Sequence, residues 1–163
     1  MEISTLQKED WTAVKNIYEL GIATGIATFE TAAPTWEQWD NNHLALGRLV
    51  AVSNQAVIGW AALTPISNRC IYQGVAEVSI YIHPDYRGKG IGKLLLKNLV
   101  FESEKADIWT LHSAIFRENI GSIALHKKIG FRMIGYREKI GKLNGIWKDN
   151  VLMERRSQVV GVD

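Results

Sequence analysis

Six residues near the middle of the chain, Arg87-Gly88-Lys89-Gly90-Ile91-Gly92, combine backbone freedom with positive charge. Alternate glycines let a chain turn tightly and aim successive N–H groups at one point. Ile91, Leu94, Leu95 and Leu99 follow at helical spacing, so this loop opens a helix. The first turn of that helix adds unpaired N–H donors and the positive end of a dipole. With Arg87, Lys89 and Lys93 alongside, the combination suits a phosphate or pyrophosphate. Two common versions are excluded by residue order. Lys93 is followed by Leu94, where a P-loop needs Ser or Thr, and Gly-x-Gly-x-Gly is not the Gly-x-Gly-x-x-Gly of dinucleotide sites. The bland alternative is a glycine-rich strand-to-helix turn with solvated lysines.

Two other residues suit proton chemistry. Val75 to Ile82 alternates as a strand, with Val78, Ile80 and Ile82 on one face and Glu77, Ser79 and Tyr81 on the other. A carboxylate in a mostly apolar sheet costs energy unless it is paired or put to use, and burial would make Glu77 a stronger base. A structural ion pair with an arginine such as Arg69 is the alternative. His126 lies one helical turn beyond Ser122, with Asn119 on the same face. Its imidazole suits proton transfer near neutrality, or it packs below Phe131 as an ordinary helix residue. Asn119 alone reads as a helix N-cap. His43, His83 and His112 show no metal-ligand spacing and are read as structural. Cys70 is the only cysteine, so no intrachain disulfide or cysteine-held zinc is available. An inert buried thiol is the expectation there, and no metal is expected.

The elements that hold these residues follow from periodicity. Ile3 to Leu6 reads as a short strand. Asp10 caps a helix from Trp11 to Leu20, with Val14 and Ile17 inward and Gly21 at its end. Thr35-Trp36-Glu37-Gln38 is a capping box opening a second helix toward Leu46. Strands over 49–52 and 56–63 flank Ser53-Asn54-Gln55, and a loop over 64–73 leads to the alternating strand. A helix over 90–105, a strand over 109–115 and a helix over 119–129 follow. Strands over 131–140 and 146–154 flank the hairpin signal Asn144-Gly145. This order predicts one α/β (α+β) domain with a mixed sheet and helices on its faces.

Length and composition agree. The chain has 163 residues, 47% hydrophobic and 22% charged. That is enough for one domain that buries roughly 70% of its unfolded surface without metal or disulfide. Nineteen basic and seventeen acidic residues leave +2, so nothing calls for a nucleic-acid partner. No apolar run reaches the ~20 residues of a membrane span. Met1-Glu2-Ile3-Ser4 lacks a secretory pattern, so a cytoplasmic setting is expected. The expected domain is 1–157, with a short tail over 158–163.

Arg87, Gly90 and Gly92, placed after a strand and before a helix, resemble the Arg-x-x-Gly-x-Gly acetyl-CoA loop of GNAT N-acetyltransferases. Asn119 and His126-Lys127-Lys128-Ile129-Gly130-Phe131 resemble that superfamily's second motif. Four more segments are similar to its phosphinothricin and methionine sulfoximine N-acetyltransferase branch: Gly25 to Glu30, Ala76 to Ile82, Leu125-His126, and Gly145 to Asp149. The resemblance spans almost the whole chain. It implies the GNAT fold, a twisted and mostly antiparallel sheet flanked by about four helices. It also implies acetyl-CoA as co-substrate, a small amino acid analogue with a free α-amine as acceptor, and a homodimer.

The same resemblance distributes roles. Gly88 to Gly92, with Arg87 and Lys93, would hold the pyrophosphate. The backbone edge of Ile80, Tyr81 and Ile82 would pair with the pantetheine arm, provided that the central strands splay. Asn119, with Ser122 one turn before His126, would complete the cofactor site. Glu77 is the candidate base, through a bridging water, and a backbone N–H of its strand the oxyanion donor. His126 stands where many relatives carry tyrosine, although this branch carries histidine. It would protonate the leaving thiolate or act as the base. Phe29, Arg69, Tyr72, Glu77 and Asn150 would contact the acceptor, with Arg69 clamping a carboxylate. Ser67 and Gln73 are looser candidates. Asn150 departs from relatives with an apolar residue there. Trp147 would sit at the pocket rim or a dimer interface. A protein or peptide N-acetyltransferase and a non-catalytic acyl-CoA sensor are the competing readings.

Overall fold

The computed structural model describes residues 1–163. Seven strands form one sheet: β1 (Glu2–Thr5), β2 (Leu49–Ser53), β3 (Ala56–Pro65), β4 (Val75–Ile82), β5 (Thr110–Phe116), β6 (Arg132–Leu143) and β7 (Ile146–Arg156). Four helices accompany them: α1 (Trp11–Ile22), α2 (Trp36–Asn42), α3 (Ile91–Lys105) and α4 (Ile120–Lys128). Across the sheet the order is β1-β2-β3-β4-β5-β7-β6, antiparallel everywhere except between β4 and β5. The order of elements agrees with the expectation, and the ends of several differ for physical reasons.

Two apolar clusters cover the two faces. Leu95, Leu96 and Leu99 of α3 pack with Leu63, Val78, Leu111 and Met153. Val14 and Ile17 of α1 pack with Trp39 of α2 and Trp60 of β3. Four tryptophans therefore meet as packing, since Trp11 and Trp36 lie against Trp39. Trp147 is exposed beneath the Lys142 ammonium. Both tight hairpins place two residues at positive φ. Asn54 and Gln55 stand at 49° and 63°, Asn144 and Gly145 at 49° and 79°, the twist that two-residue turns require.

Several local expectations are corrected. Asp10 stands at the N-cap of α1, but its side chain makes no bond to that helix; it closes the preceding 3-10 turn, where its Oδ2 accepts from the Gln7 N–H at 2.8 Å. Gly21 is inside α1 and does not stop it. The capping box at Thr35 and Gln38 is formed in both directions, at 3.3 and 3.0 Å. The helix it opens ends at Asn42, short of Leu46. Arg48 accounts for this: its guanidinium donates to the carbonyls of Asp40, His43 and Leu44, while Leu44 N–H joins Leu63 of the sheet. Helix continuation would forfeit those bonds. Cys70 sits on an exposed 3-10 turn between β3 and β4, so it is not buried as expected.

Candidate active site

The parallel pairing of β4 with β5 lasts three residues, Val75↔Thr110, Ala76↔Leu111 and Glu77↔His112. Beyond Glu77 the strands part. On its other side β4 stays paired with β3 as far as Ile82. The β5-facing N–H and C=O groups of Val78 to Ile82 therefore have no strand partner, which makes an open edge inside the sheet. This is the splay that a pantetheine-binding edge requires.

Two cavities meet at that edge. The larger, about 660 Å³, runs along α3 and α4 and is lined by Ile80, Tyr81, Ile82, Arg87, Gly88, Gly90, Ile91, Gly92, Lys93, Asn119 and Ser122. All were expected cofactor residues. Lys89 was expected too, but its ammonium lies over the Tyr86 ring and outside the cavity. The smaller cavity, about 310 Å³, fills the cleft between β4 and β5. Phe29, Glu77, His126 and Asn150 line it. Ala27, Ile80, Tyr81, Asn119 and Ser122 line both.

The glycine loop is built to receive an anion. Gly88 and Gly90 stand at φ +73° and +83°, with open space where a β-carbon would project. Leu94 N–H bonds to the Gly90 carbonyl and starts α3, but the N–H groups of residues 88–93 have no acceptor within the chain. Six consecutive free donors, three of them in the first turn of a fifteen-residue helix, form a cradle for phosphate oxygens.

At the other end of the junction stands His126. It is 1% exposed and packs edge-on to Phe131 at 4.9 Å. Nδ1 lies 2.8 Å from the Ser122 carbonyl. A carbonyl only accepts, so the proton resides on Nδ1 and the lone pair on Nε2. Nε2 is buried and has no partner in the protein. Burial holds the ring below its ordinary 6.5, although the Ser122 carbonyl pulls the other way, so His126 is a neutral acceptor near pH 7. Asn119 does what an N-cap does: its Oδ1 accepts from Ser122 N–H at 3.2 Å. It lines both cavities as well.

Glu77 occupies the last rung before the cleft. Its side chain is 43% exposed, so the burial expected of it is absent. Its ionisable neighbour is His112, with Nδ1 3.7 Å from Oε2, and not Arg69. The parallel register puts residue 112 opposite residue 77. Arg69 instead stacks over Tyr72 on the exposed turn before β4, and neither lines either of these two cavities. Phe29 packs edge-on against Phe116, 4.6 Å between centroids, and closes the far wall. Asn150, paired with Phe116 in register, is 8% exposed and its Oδ1 lacks a partner.

Sequence reasoning missed a second polar group in the smaller cavity: Tyr18, Thr28, Glu30 and the phenol of Tyr81. Burial raises both phenols, with the Glu30 carboxylate adding to the effect on Tyr18 and the Tyr18 phenol to that on Tyr81, so both remain hydrogen-bond donors. Thr28 and Glu30 flank Phe29 in a segment already singled out, which was the available signal. Tyr18 carried none, because it sits on the inner face of α1 like any core residue.

Comparison with known proteins agrees with this geometry. The sequence model of the Acetyltransferase (GNAT) family matches residues 5–131. A phosphinothricin N-acetyltransferase from Alcaligenes faecalis is 30% identical over 94% of this chain and 81% of its own. An L-methionine sulfoximine/L-methionine sulfone acetyltransferase from Salmonella typhimurium is 28% identical over 94% of this chain and 93% of its own. The crystal structure of a GNAT superfamily phosphinothricin acetyltransferase from Sinorhizobium meliloti in complex with AcCoA superposes with a TM-score of 0.90. It is 29% identical, covering 99% of this chain and 91% of that one. The splayed sheet, the donor-rich glycine loop and these matches converge: the chain belongs to the GNAT acetyltransferase family and is an N-acetyltransferase.

Proposed function

We propose that this chain transfers the acetyl group of acetyl-CoA to the free α-amine of a small amino acid analogue of the phosphinothricin, methionine sulfoximine or methionine sulfone type, by direct attack in a ternary complex. The observation that carries the reading is the meeting of the two cavities at the open edge of β4. A long anionic ligand laid along α3 ends there, beside Glu77 and His126. The residues present fit acetyl-CoA: the free N–H groups of residues 88–93 suit its pyrophosphate, and the edge of Ile80 to Ile82 suits its amide-bearing arm. At about 310 Å³ the acceptor cavity is at the small end of ligand sites, sized for an amino acid and not for a folded peptide segment.

Bound acetyl-CoA supplies an activated thioester. Two protons must leave the acceptor nitrogen, one from the ammonium and one after attack. The site holds two groups that begin as acceptors. Glu77 takes the first proton, directly or through water. His126 Nε2 takes the second and returns it to the departing thiolate. The cleft-facing N–H groups of β4 donate to the oxygen on which charge gathers. Phe29 and Asn150 bound the acceptor side chain, and the Asn150 amide adds polarity where an apolar residue would favour an alkyl group. The carboxylate clamp of Arg69 and Tyr72 belongs to the same reading; it requires their turn, or a second chain of a homodimer, to approach the cleft.

Thiol release from acetyl-CoA tests the proposal, with phosphinothricin, methionine sulfoximine, methionine sulfone, ordinary amino acids and a basic peptide as acceptors. Saturable turnover with the first three is expected. Turnover with the peptide alone contradicts the small-acceptor reading, and binding of acetyl-CoA without turnover on any amine contradicts catalysis.

A further inference from the structure

A row of ionisable side chains crosses the sheet at the mouth of the cleft. Glu77 on β4 is in register with His112 on β5, His112 with Glu154 on β7, and Glu154 with Arg132 on β6. Register partners on neighbouring strands share a face, so these four stand side by side. Arg132 donates to Glu154 Oε1 and engages that carboxylate. Glu77 has no arginine or lysine within ion-pair distance; the His112 imidazole is its nearest ionisable neighbour in register, 3.7 Å away. His112 is the more enclosed of the two, with its side chain 22% exposed against 43%.

We infer that His112 is a positioning residue that holds the Glu77 carboxylate at the rung where β4 and β5 part, by its Nδ1–H toward Oε2, leaving Oε1 for the acceptor amine. The inference rests on the reading of Glu77 as base. A contact of 3.7 Å is longer than a hydrogen bond, and such contacts in ligand-free sites commonly tighten when substrate enters. The charged groups registered around the imidazole are Glu77 from β4, Glu154 from β7 and, behind Glu154, Arg132 from β6. Glu154 is neutralised by Arg132, so the imidazole serves Glu77.

The test uses His112→Val, His112→Asn, Glu77→Gln and the Glu77→Gln/His112→Val double variant, each checked for folding by its melting temperature and for acetyl-CoA affinity. His112→Val is expected to lower kcat about tenfold, because small misplacement of a reacting group is costly, while acetyl-CoA affinity stays within about twofold. His112→Asn keeps an N–H where Nδ1 stands and recovers most of kcat. On the Glu77→Gln background, His112→Val adds no further loss. If His112→Val keeps wild-type kcat while Glu77→Gln is impaired, the inference falls and the base reading stands. An equal loss on both backgrounds makes His112 merely structural and also overturns it. If Glu77→Gln itself turns over normally, the base reading falls first and takes the inference with it.

Discussion

The ring of Tyr81 fills the space that a β-carbon on residue 21 would need: Cδ1 lies 2.6 Å from that position. Glycine there lets α1 lie close on β4, and the two residues together form part of the wall of the larger cavity. The ring cannot retreat, because it is stacked on Trp60 at 4.9 Å and tilted against Tyr18 at 4.8 Å. Gly21→Ala gains about 1 kcal/mol of helix propensity but incurs roughly 1–3 kcal/mol of overpacking. The expected result is a lower melting temperature together with weaker acetyl-CoA binding. A more stable variant with unchanged affinity would show that α1 can lift from β4 freely.

Gly90→Val probes the anion cradle. Residue 90 has room for a side chain but stands at φ +83°, where a β-branched residue is strained. Relaxing that strain re-aims the partnerless N–H groups of the loop around residue 90. Titration calorimetry should show acetyl-CoA affinity weakened by at least about tenfold, the loss of one or two charge-assisted hydrogen bonds, with the circular dichroism of the fold retained. Normal affinity in a folded variant would refute the loop assignment.

One buried and one half-buried histidine, His126 and His43, bear on the acid side of the stability profile. Burial lowers both His43 and His126 from 6.5, although the Trp39 and Ser122 carbonyls oppose the shift. As pH falls below 6.5, the unfolded chain binds protons that the folded chain refuses. The stability gained by keeping these rings neutral is complete above that pH and is lost toward their lower folded-state values. Glu118, drawn below 4.5 by its hydrogen bond from Lys148, acts only further down. Urea midpoints measured from about pH 8 to about pH 5 should fall below 6.5, and His126→Gln should fall less steeply. A flat profile would contradict the neutral state of both rings.

What the sequence revealed depended on whether a residue's environment was local. The glycine loop was legible because positive φ and a helix start are written in a few neighbouring residues, Gly88 to Leu95. The capping box at Thr35 and Gln38 was legible for the same reason. The end of α2 was not, because Arg48 stops it from six residues beyond Asn42. Nor was the role of Gly21, which answers to Tyr81 on a distant strand and looks like a helix stop in isolation. The alternation of β4 runs unbroken to Ile82, so nothing in it marks Glu77 as the last paired rung. That also hid His112, which the parallel register alone brings opposite Glu77. Tyr18, Thr28 and Glu30 gather in the acceptor cavity because α1 and the following loop fold over the cleft, a tertiary event with no periodic trace.

Under the proposed function two jobs are separated in space, holding acetyl-CoA at the α3 end of the junction and removing protons at the β4–β5 cleft. Glu77→Gln measures that separation most directly. Glu77 lines the acceptor cavity and not the larger one, so the variant should bind acetyl-CoA within about twofold of wild type. Its kcat with methionine sulfone as acceptor should fall by about 10²–10⁴, the usual contribution of a positioned base. Wild-type turnover in a folded Glu77→Gln protein would contradict the account and leave the proton chemistry to His126.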